Sequence, residues 1–218
     1  MARTTPTLAI FDLDGTLVDS APDIAAALNR LMARQHLAPF DLAEVTAMIG
    51  DGARALVEKA LTLRAAPIEE AAIAAFLEDL EANSAALTRP YPGMVPVLET
   101  LTAQGWTLAI CTNKPMAPTT ALLNSLGLAH HFALVLGGDS LSMRKPDPRH
   151  VLAVLERLDM RPAWAVMIGD HRNDIQAALG AGVRSIFAAW GYGEGTGADA
   201  SAASPAGLIP LLEPLRRK

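Results

Sequence analysis

Two aspartates near the start of the chain, Asp12 and Asp14, are the first residues whose types and spacing could do chemistry. They follow the apolar run 8–11 and precede Gly15, so they stand where an extended segment stops. If the backbone is still extended there, both carboxylates point the same way, with Leu13 opposite. Two acids then share one small volume. An Asp-x-Asp pair by itself also suits a solvated turn or the metal-binding pair of a nucleotide-sugar transferase.

The other candidates follow later apolar runs. Thr112, Asn113 and Lys114 come after the run 106–111, and Gly137, Gly138 and Asp139 after 132–136. Gly169, Asp170, Asn173 and Asp174 come after 163–168, while Lys145 sits among prolines between the last two runs. In an open parallel sheet, ligands bind beyond the carboxyl ends of the strands, where these residues would lie. Thr112 offers a hydroxyl, Lys145 a compact positive charge, and Asp170 and Asp174 two carboxylates four residues apart. Together the types describe a phosphate site with a metal. Singly they have plainer readings: a strand-end turn for Thr112-Asn113, an exposed lysine for Lys145, a helix cap for Asp174.

The elements that must position these residues read as follows. Ser20 can cap a helix that opens with Ala21-Pro22-Asp23. From residue 24 to 87 the apolar positions recur at three and four, and breaks at 37–39, 50–52 and Pro67 divide the span into about four helices. Within it, the segment 49–54 could close over the site, its glycines Gly50 and Gly52 allowing close approach and Arg54 offering a charge to a substrate carboxylate. Those glycines serve equally well to separate two helices, with Arg54 solvated. After Arg89-Pro90-Tyr91-Pro92-Gly93 the pattern alternates between helices (94–104, 116–126, 149–158, 174–179) and short apolar strands (106–111, 132–136, 163–168, 183–187). With the first strand this makes five strands, enough for a doubly wound parallel sheet carrying an all-helical insert. The glycine-rich stretch 191–197 lacks dinucleotide-binding spacing and reads as a surface loop, and the tail after Pro205 as one short helix.

The string from Ala9 to Ser20, with both acids, Gly15 and Thr16 in fixed order, resembles the first motif of the haloacid dehalogenase-like hydrolases. Thr112-Asn113 resembles the second, Lys145-Pro146 the third, and Gly169-Asp170 with Asn173-Asp174 the fourth. The insert is similar to the small helical cap of the phosphoglycolate phosphatase-like branch. The resemblance implies an α/β Rossmann-like core over 1–18 and 90–218 and a helical cap over 19–89. It implies Asp12 as nucleophile and Asp14 as general acid/base, and Asp14 points to phosphoryl rather than haloalkane chemistry. It further implies Mg2+ held by Asp12, the main-chain carbonyl of Asp14 and Asp170, with Asp174 behind them. Thr112, Asn113 and Lys145 would hold the phosphoryl group, and the cap segment with Gly52 and Arg54 would select the substrate. A magnitude supports the metal: like charges about 4 Å apart cost roughly 4 kcal/mol per pair at an effective dielectric near 20, more than one lysine offsets.

Composition narrows the classes. The chain has 218 residues, 51% of them hydrophobic, and a net charge of −5 with no basic block, which speaks against nucleic acid and anionic membranes as partners. The single cysteine, Cys111, lies in an apolar run and reads as a buried structural thiol in a reducing, cytoplasmic setting. The first apolar run breaks at Asp12, too early for a signal peptide. No His/Cys cluster suggests zinc; His130-His131 reads as a surface or core pair, and His171 as a loop residue. The expected function is a Mg-dependent phosphatase acting on a small phosphorylated metabolite, 2-phosphoglycolate first, as a monomer or homodimer. Its rivals are a phosphosugar mutase, an inorganic pyrophosphatase and a non-catalytic phosphate-binding protein.

Overall fold

Leu8, Ala9, Ile10 and Phe11 form a strand, β1 (Leu8–Phe11), in which no side chain is exposed. A run without a polar face must be covered on both sides, which places it inside a sheet rather than at its edge. The computed structural model describes residues 7–83 and 85–215. The outermost parts of the expected core range, residues 1–6 and 216–218, lie outside the described residues.

After β1 comes a two-residue strand, β2 (Val18–Asp19), and then four helices: α1 (Ala21–Arg34), α2 (Leu42–Thr46), α3 (Ala53–Leu63) and α4 (Glu70–Ala82). Their breaks fall at the expected proline and glycine positions. A second short strand, β3 (Arg89–Pro90), pairs antiparallel with β2. The chain then alternates through α5 (Met94–Ala103), β4 (Thr107–Cys111), α6 (Met116–Ser125), β5 (Leu134–Leu136), α7 (Pro148–Arg157), β6 (Ala165–Gly169), α8 (Arg172–Gly180) and β7 (Arg184–Ala188). It closes with β8 (Ala200–Ala202) and α9 (Leu208–Leu212).

The main sheet has six strands in the order β5-β4-β1-β6-β7-β8, all parallel. That is one strand more than expected, because Ala-Ser-Ala in β8 carries no β-branched or aromatic signal. Strand pleating sorts the two faces. Ala9, Phe11, Leu108 and Ile110 pack with Met94, Leu98 and Leu122 of α5 and α6, whereas Leu8, Ile10, Ala109 and Cys111 pack with Val151, Val154 and Ala177 of α7 and α8. Burial pushes the Cys111 thiol up to about 12. Among the described residues no helix is long and apolar enough to cross a membrane.

Helices α1 to α4 build an apolar core of their own around Leu28, Leu31, Val57, Leu61, Ile73 and Phe76. The chain enters and leaves this helical block side by side, through β2 and β3. The junction is fixed by Asp23, a buried carboxylate that accepts hydrogen bonds from the Leu87 N–H, the Thr88 N–H and the Thr88 hydroxyl. Ser20 was expected to cap α1, but its side chain makes no cap bond; the hydroxyl donates to Asp14 Oδ1 at 2.6 Å instead.

Removing the Asp23 carboxylate strands three donors where water cannot readily replace it. Asp23→Ala should therefore lower the unfolding free energy by about 2–4 kcal/mol, since each orphaned buried partner is costly. A urea titration checks this, and a change below about 0.5 kcal/mol, the scale of an ordinary surface substitution, would contradict it.

Candidate active site

Register brings the polar strand ends together. Phe11 lies opposite Ile110 on one side and Ile168 on the other. The residues just past those strands, Asp12, Thr112 and Asp170, therefore emerge along one edge, where the strand order reverses about β1. The Asp12 N–H still donates to the Ile168 carbonyl at 2.9 Å, so its carboxylate is held by the sheet. Gly15 then turns the chain with φ +81°, and a Cβ there would lie 2.2 Å from Asp170 Oδ2. Only glycine permits that approach.

Lys145 comes up from below. Its Nζ lies 2.9 Å from Asp12 Oδ1 and 2.6 Å from Asp174 Oδ1, and the side chain is buried. Apart from this ion pair, Asp12 Oδ1 is buried with no other polar partner among the described residues. Asp174 does double duty, because its Oδ2 accepts the His171 N–H at 3.0 Å and caps α8. Asp170 is held by the Thr16 hydroxyl and the Tyr192 N–H, each at 2.8 Å.

Oxygen atoms of Asp12, Asp170 and Asp174 lie within 4.8 Å of one another. Burial pushes the Asp12 carboxyl up to about 6, with Lys145 opposing and Asp174 reinforcing the shift. Burial, then Asp12 and Asp174, push Asp170 up to about 8. Burial alone would lower Lys145, but Asp12 and Asp174 outweigh it and hold its ammonium well above the ordinary lysine value. Ionised, three carboxylates beside one ammonium leave two negative charges uncompensated. A divalent cation with hard oxygen ligands fits that deficit, and Asp12, Asp170 and Asp174 each offer it an oxygen.

Asp14 stands apart from this cluster. Its carboxylate takes the Ser20 hydroxyl and faces Lys114 Nζ at 3.2 and 3.3 Å. Asp12, Asp14, Thr112 and Asp170 open together into a cleft whose far wall, from the helical block, includes Ile24, Leu56, Phe76 and Leu80.

A family model of haloacid dehalogenase-like hydrolases matches residues 9–188, from the first strand of this site to the end of β7. The chain belongs to the haloacid dehalogenase-like hydrolases. Its relatives include a phosphoglycolate phosphatase of Agrobacterium fabrum, 42% identical over 189 residues, spanning 85% of this chain and 81% of that one. A phosphoglycolate phosphatase of Pseudomonas putida is 39% identical over 218 residues, 97% of this chain and 79% of that one. Among solved structures, a predicted phosphoglycolate phosphatase from Haemophilus somnus superposes with a TM-score of 0.87 at 30% identity, covering 96% of this chain and 99% of that one.

In this haloacid dehalogenase-like hydrolase, Asn113 lies at the cleft as expected and Arg54 does not. Both N–H bonds of the Asn113 amide are committed, to the Gly50 carbonyl at 2.9 Å and the Lys145 carbonyl at 2.8 Å, so the amide ties the helical block to the site while Asn113 lines the cleft. Arg54 turns away from the cleft. Its guanidinium pairs with both carboxylate oxygens of Glu70, at 2.7 and 2.6 Å, and lies 3.5 Å from Glu58, one turn along α3. Gly52 does approach the site: a Cβ there would lie 3.0 Å from the Asn113 carbonyl, and one on Gly50 would lie 2.7 Å from the His171 ring. Thr112 is buried, and its hydroxyl accepts the Lys114 N–H.

Sequence reasoning missed four contributors. Thr16 and Ser20 orient Asp170 and Asp14, and Lys114 was passed over as the residue after the Thr-Asn pair. Tyr192, in the glycine-rich loop expected at the surface, lines the cleft, and its hydroxyl accepts the Ser20 and Ala21 N–H groups and donates to Asp19. The signal was Gly191, where a Cβ would lie 2.2 Å from Asp170 Cβ. His171 caps α8 through Nδ1, as a loop residue can, and His130 and His131 lie on the surface.

An exposed ion pair outside the cleft contributes little to binding, so Arg54→Ala should leave KM and kcat for a phosphorylated acid within about twofold of wild type. A rise in KM of about tenfold, worth roughly 1.4 kcal/mol, would return Arg54 to the binding site.

Proposed function

We propose that this hydrolase is a phosphatase acting on a small phosphorylated acid, with 2-phosphoglycolate as its substrate. The observation that carries this reading is the buried Asp12 carboxylate, ion-paired with Lys145 at 2.9 Å and clustered with Asp170 and Asp174. The relatives named phosphoglycolate phosphatase, similar over most of their length, support the choice of substrate. The apolar wall of Ile24, Leu56, Phe76 and Leu80 suits a short ester and offers no side-chain partners to the hydroxyls of a sugar.

In the proposed reaction the Asp12 carboxylate attacks phosphorus, the bond to the ester oxygen breaks, and an aspartyl-phosphate forms. Asp14 gives its proton to the departing oxygen. In the second half Asp14 takes a proton from a water molecule as that water attacks phosphorus, and Asp12 and inorganic phosphate are released. The Thr112 hydroxyl and the Lys145 ammonium hold the phosphoryl oxygens, and Lys145 also fixes Asp12. Asp12 and Asp170 would hold Mg2+, with Asp174 behind them and the Asp14 carbonyl as a further ligand by family resemblance. When bound, the ion supplies positive charge against the charge that develops on the phosphoryl oxygens.

The division of labour follows the apolar cores, one on each face of the sheet and a third within the helical block. Residues 1–18 and 90–218 form the catalytic core in this reading, and residues 19–89 a cap that excludes water from the cleft. The paired strands β2 and β3 are its hinge, with Asp23 bracing one side.

Phosphate release from 2-phosphoglycolate should require Mg2+ and stop when a chelator removes it. Asp12→Asn, which keeps the shape and loses the nucleophile, should lower kcat by about 10⁴-fold or more. Wild-type turnover without any divalent metal, or an active Asp12→Asn, would defeat the reading.

A further inference from the structure

Lys114 has no part in the chemistry assigned above, yet it is buried and lines the cleft. Its placement is rigid. The backbone N–H donates to Thr112 Oγ1 at 3.2 Å, the carbonyl accepts the Gly138 N–H at 2.8 Å, and Nζ reaches both oxygens of Asp14. Among the described residues lining the cleft it is the one ammonium or guanidinium group. The other basic side chain there, His171, is engaged in capping α8, its Nδ1 accepting the Asn173 N–H. Arg54 is spent on Glu70 outside the cleft.

An ammonium carries three N–H donors, and Asp14 is the one hydrogen-bond acceptor for Lys114 Nζ among the described residues. Donors therefore remain for a ligand. The helix α3 also begins at this cleft: Gly52 and Ala53 line it, and no side chain caps the helix. Its first-turn N–H groups and Lys114 together favour an anion.

We propose that Lys114 binds the carboxylate of the substrate and so selects phosphorylated short-chain acids over neutral phosphate esters. The inference rests on the phosphatase reading above and deepens it. Stereochemistry supplies the link. In that reading Asp14 hydrogen-bonds the ester oxygen, and in 2-phosphoglycolate one methylene separates that oxygen from the carboxylate. A carboxylate so close to the partner of Asp14 falls beside Lys114, which is itself in contact with Asp14. A longer acid would carry its charge past Lys114 into the apolar wall.

The test compares 2-phosphoglycolate with ethyl phosphate, in which a methyl group replaces the carboxylate, under saturating Mg2+. The wild type should prefer 2-phosphoglycolate in kcat/KM. Lys114→Met should cut that preference by about 30-fold or more, mainly through KM, because a buried charge loses its partner. Lys114→Arg should restore most of the preference. If Lys114→Met does not fold, Lys114→Gln carries the same comparison. An intact preference in the variant, with kcat falling equally on both esters, would overturn the proposal and leave Lys114 as a positioning residue for Asp14. A wild type that hydrolyses both esters alike would instead remove the substrate reading, and this inference with it. A wild type that hydrolyses neither would remove the phosphatase reading itself.

Discussion

One buried ammonium holds this site together. Lys145 sits between Asp12 and Asp174, with Asp170 behind, and none of these groups is freely hydrated. An isolated charge in such a place would be neutralised or expelled, so each member depends on the others. The fold serves that dependence. Three adjacent parallel strands end in register, the loop after β5 delivers Lys145, and the first turn of α8 delivers Asp174. The charge remaining after Lys145 has been counted is negative, and for that reason the site suits a divalent cation and a phosphate ester together.

Close backbone approach joins the helical block to this cluster. The Gly50 carbonyl accepts from both Asn113 and Asn173, and the Asn113 amide also reaches the Lys145 carbonyl. One polar side chain thus couples the Gly50 loop to the strand end and to the lysine segment. Tyr192 makes a second tie, from the loop beside Asp170 to the start of α1. Both ties end at residues that line the cleft, so the geometry of the wall and that of the acids are set by the same hydrogen bonds.

Much of this could be read from the residues. Asp12 and Asp170 sit directly beyond apolar runs, and a parallel sheet converts such positions into neighbours without further information, with Asp174 following in the first turn of the next helix. The helix breaks were legible because proline and glycine act locally. Arg54 was not legible. A residue at the start of a helix can face the cleft or its own neighbours, and Glu58 one turn on and Glu70 from α4 decide for the latter. The tie that Asn113 makes was not legible, because the Gly50 and Lys145 carbonyls come from distant segments. The loop at 191–197 does lie at the surface, but its part in the cleft was not legible, because composition does not tell that Gly191 lets the backbone touch Asp170. Lys114 escaped notice because nothing in a lysine after a strand tells whether it faces water or a buried acid.

In the proposed reaction Asp12 carries the phosphoryl group during turnover, and that step can be trapped. The most direct measurement mixes the protein with Mg2+ and radiolabelled 2-phosphoglycolate, quenches in acid within the first turnovers, and locates the label by peptide mapping. The account predicts an acid-stable, hydroxylamine-labile label on the peptide that contains Asp12, absent from Asp12→Asn. Full turnover with no label on the protein, or a label on a histidine or serine, would contradict it.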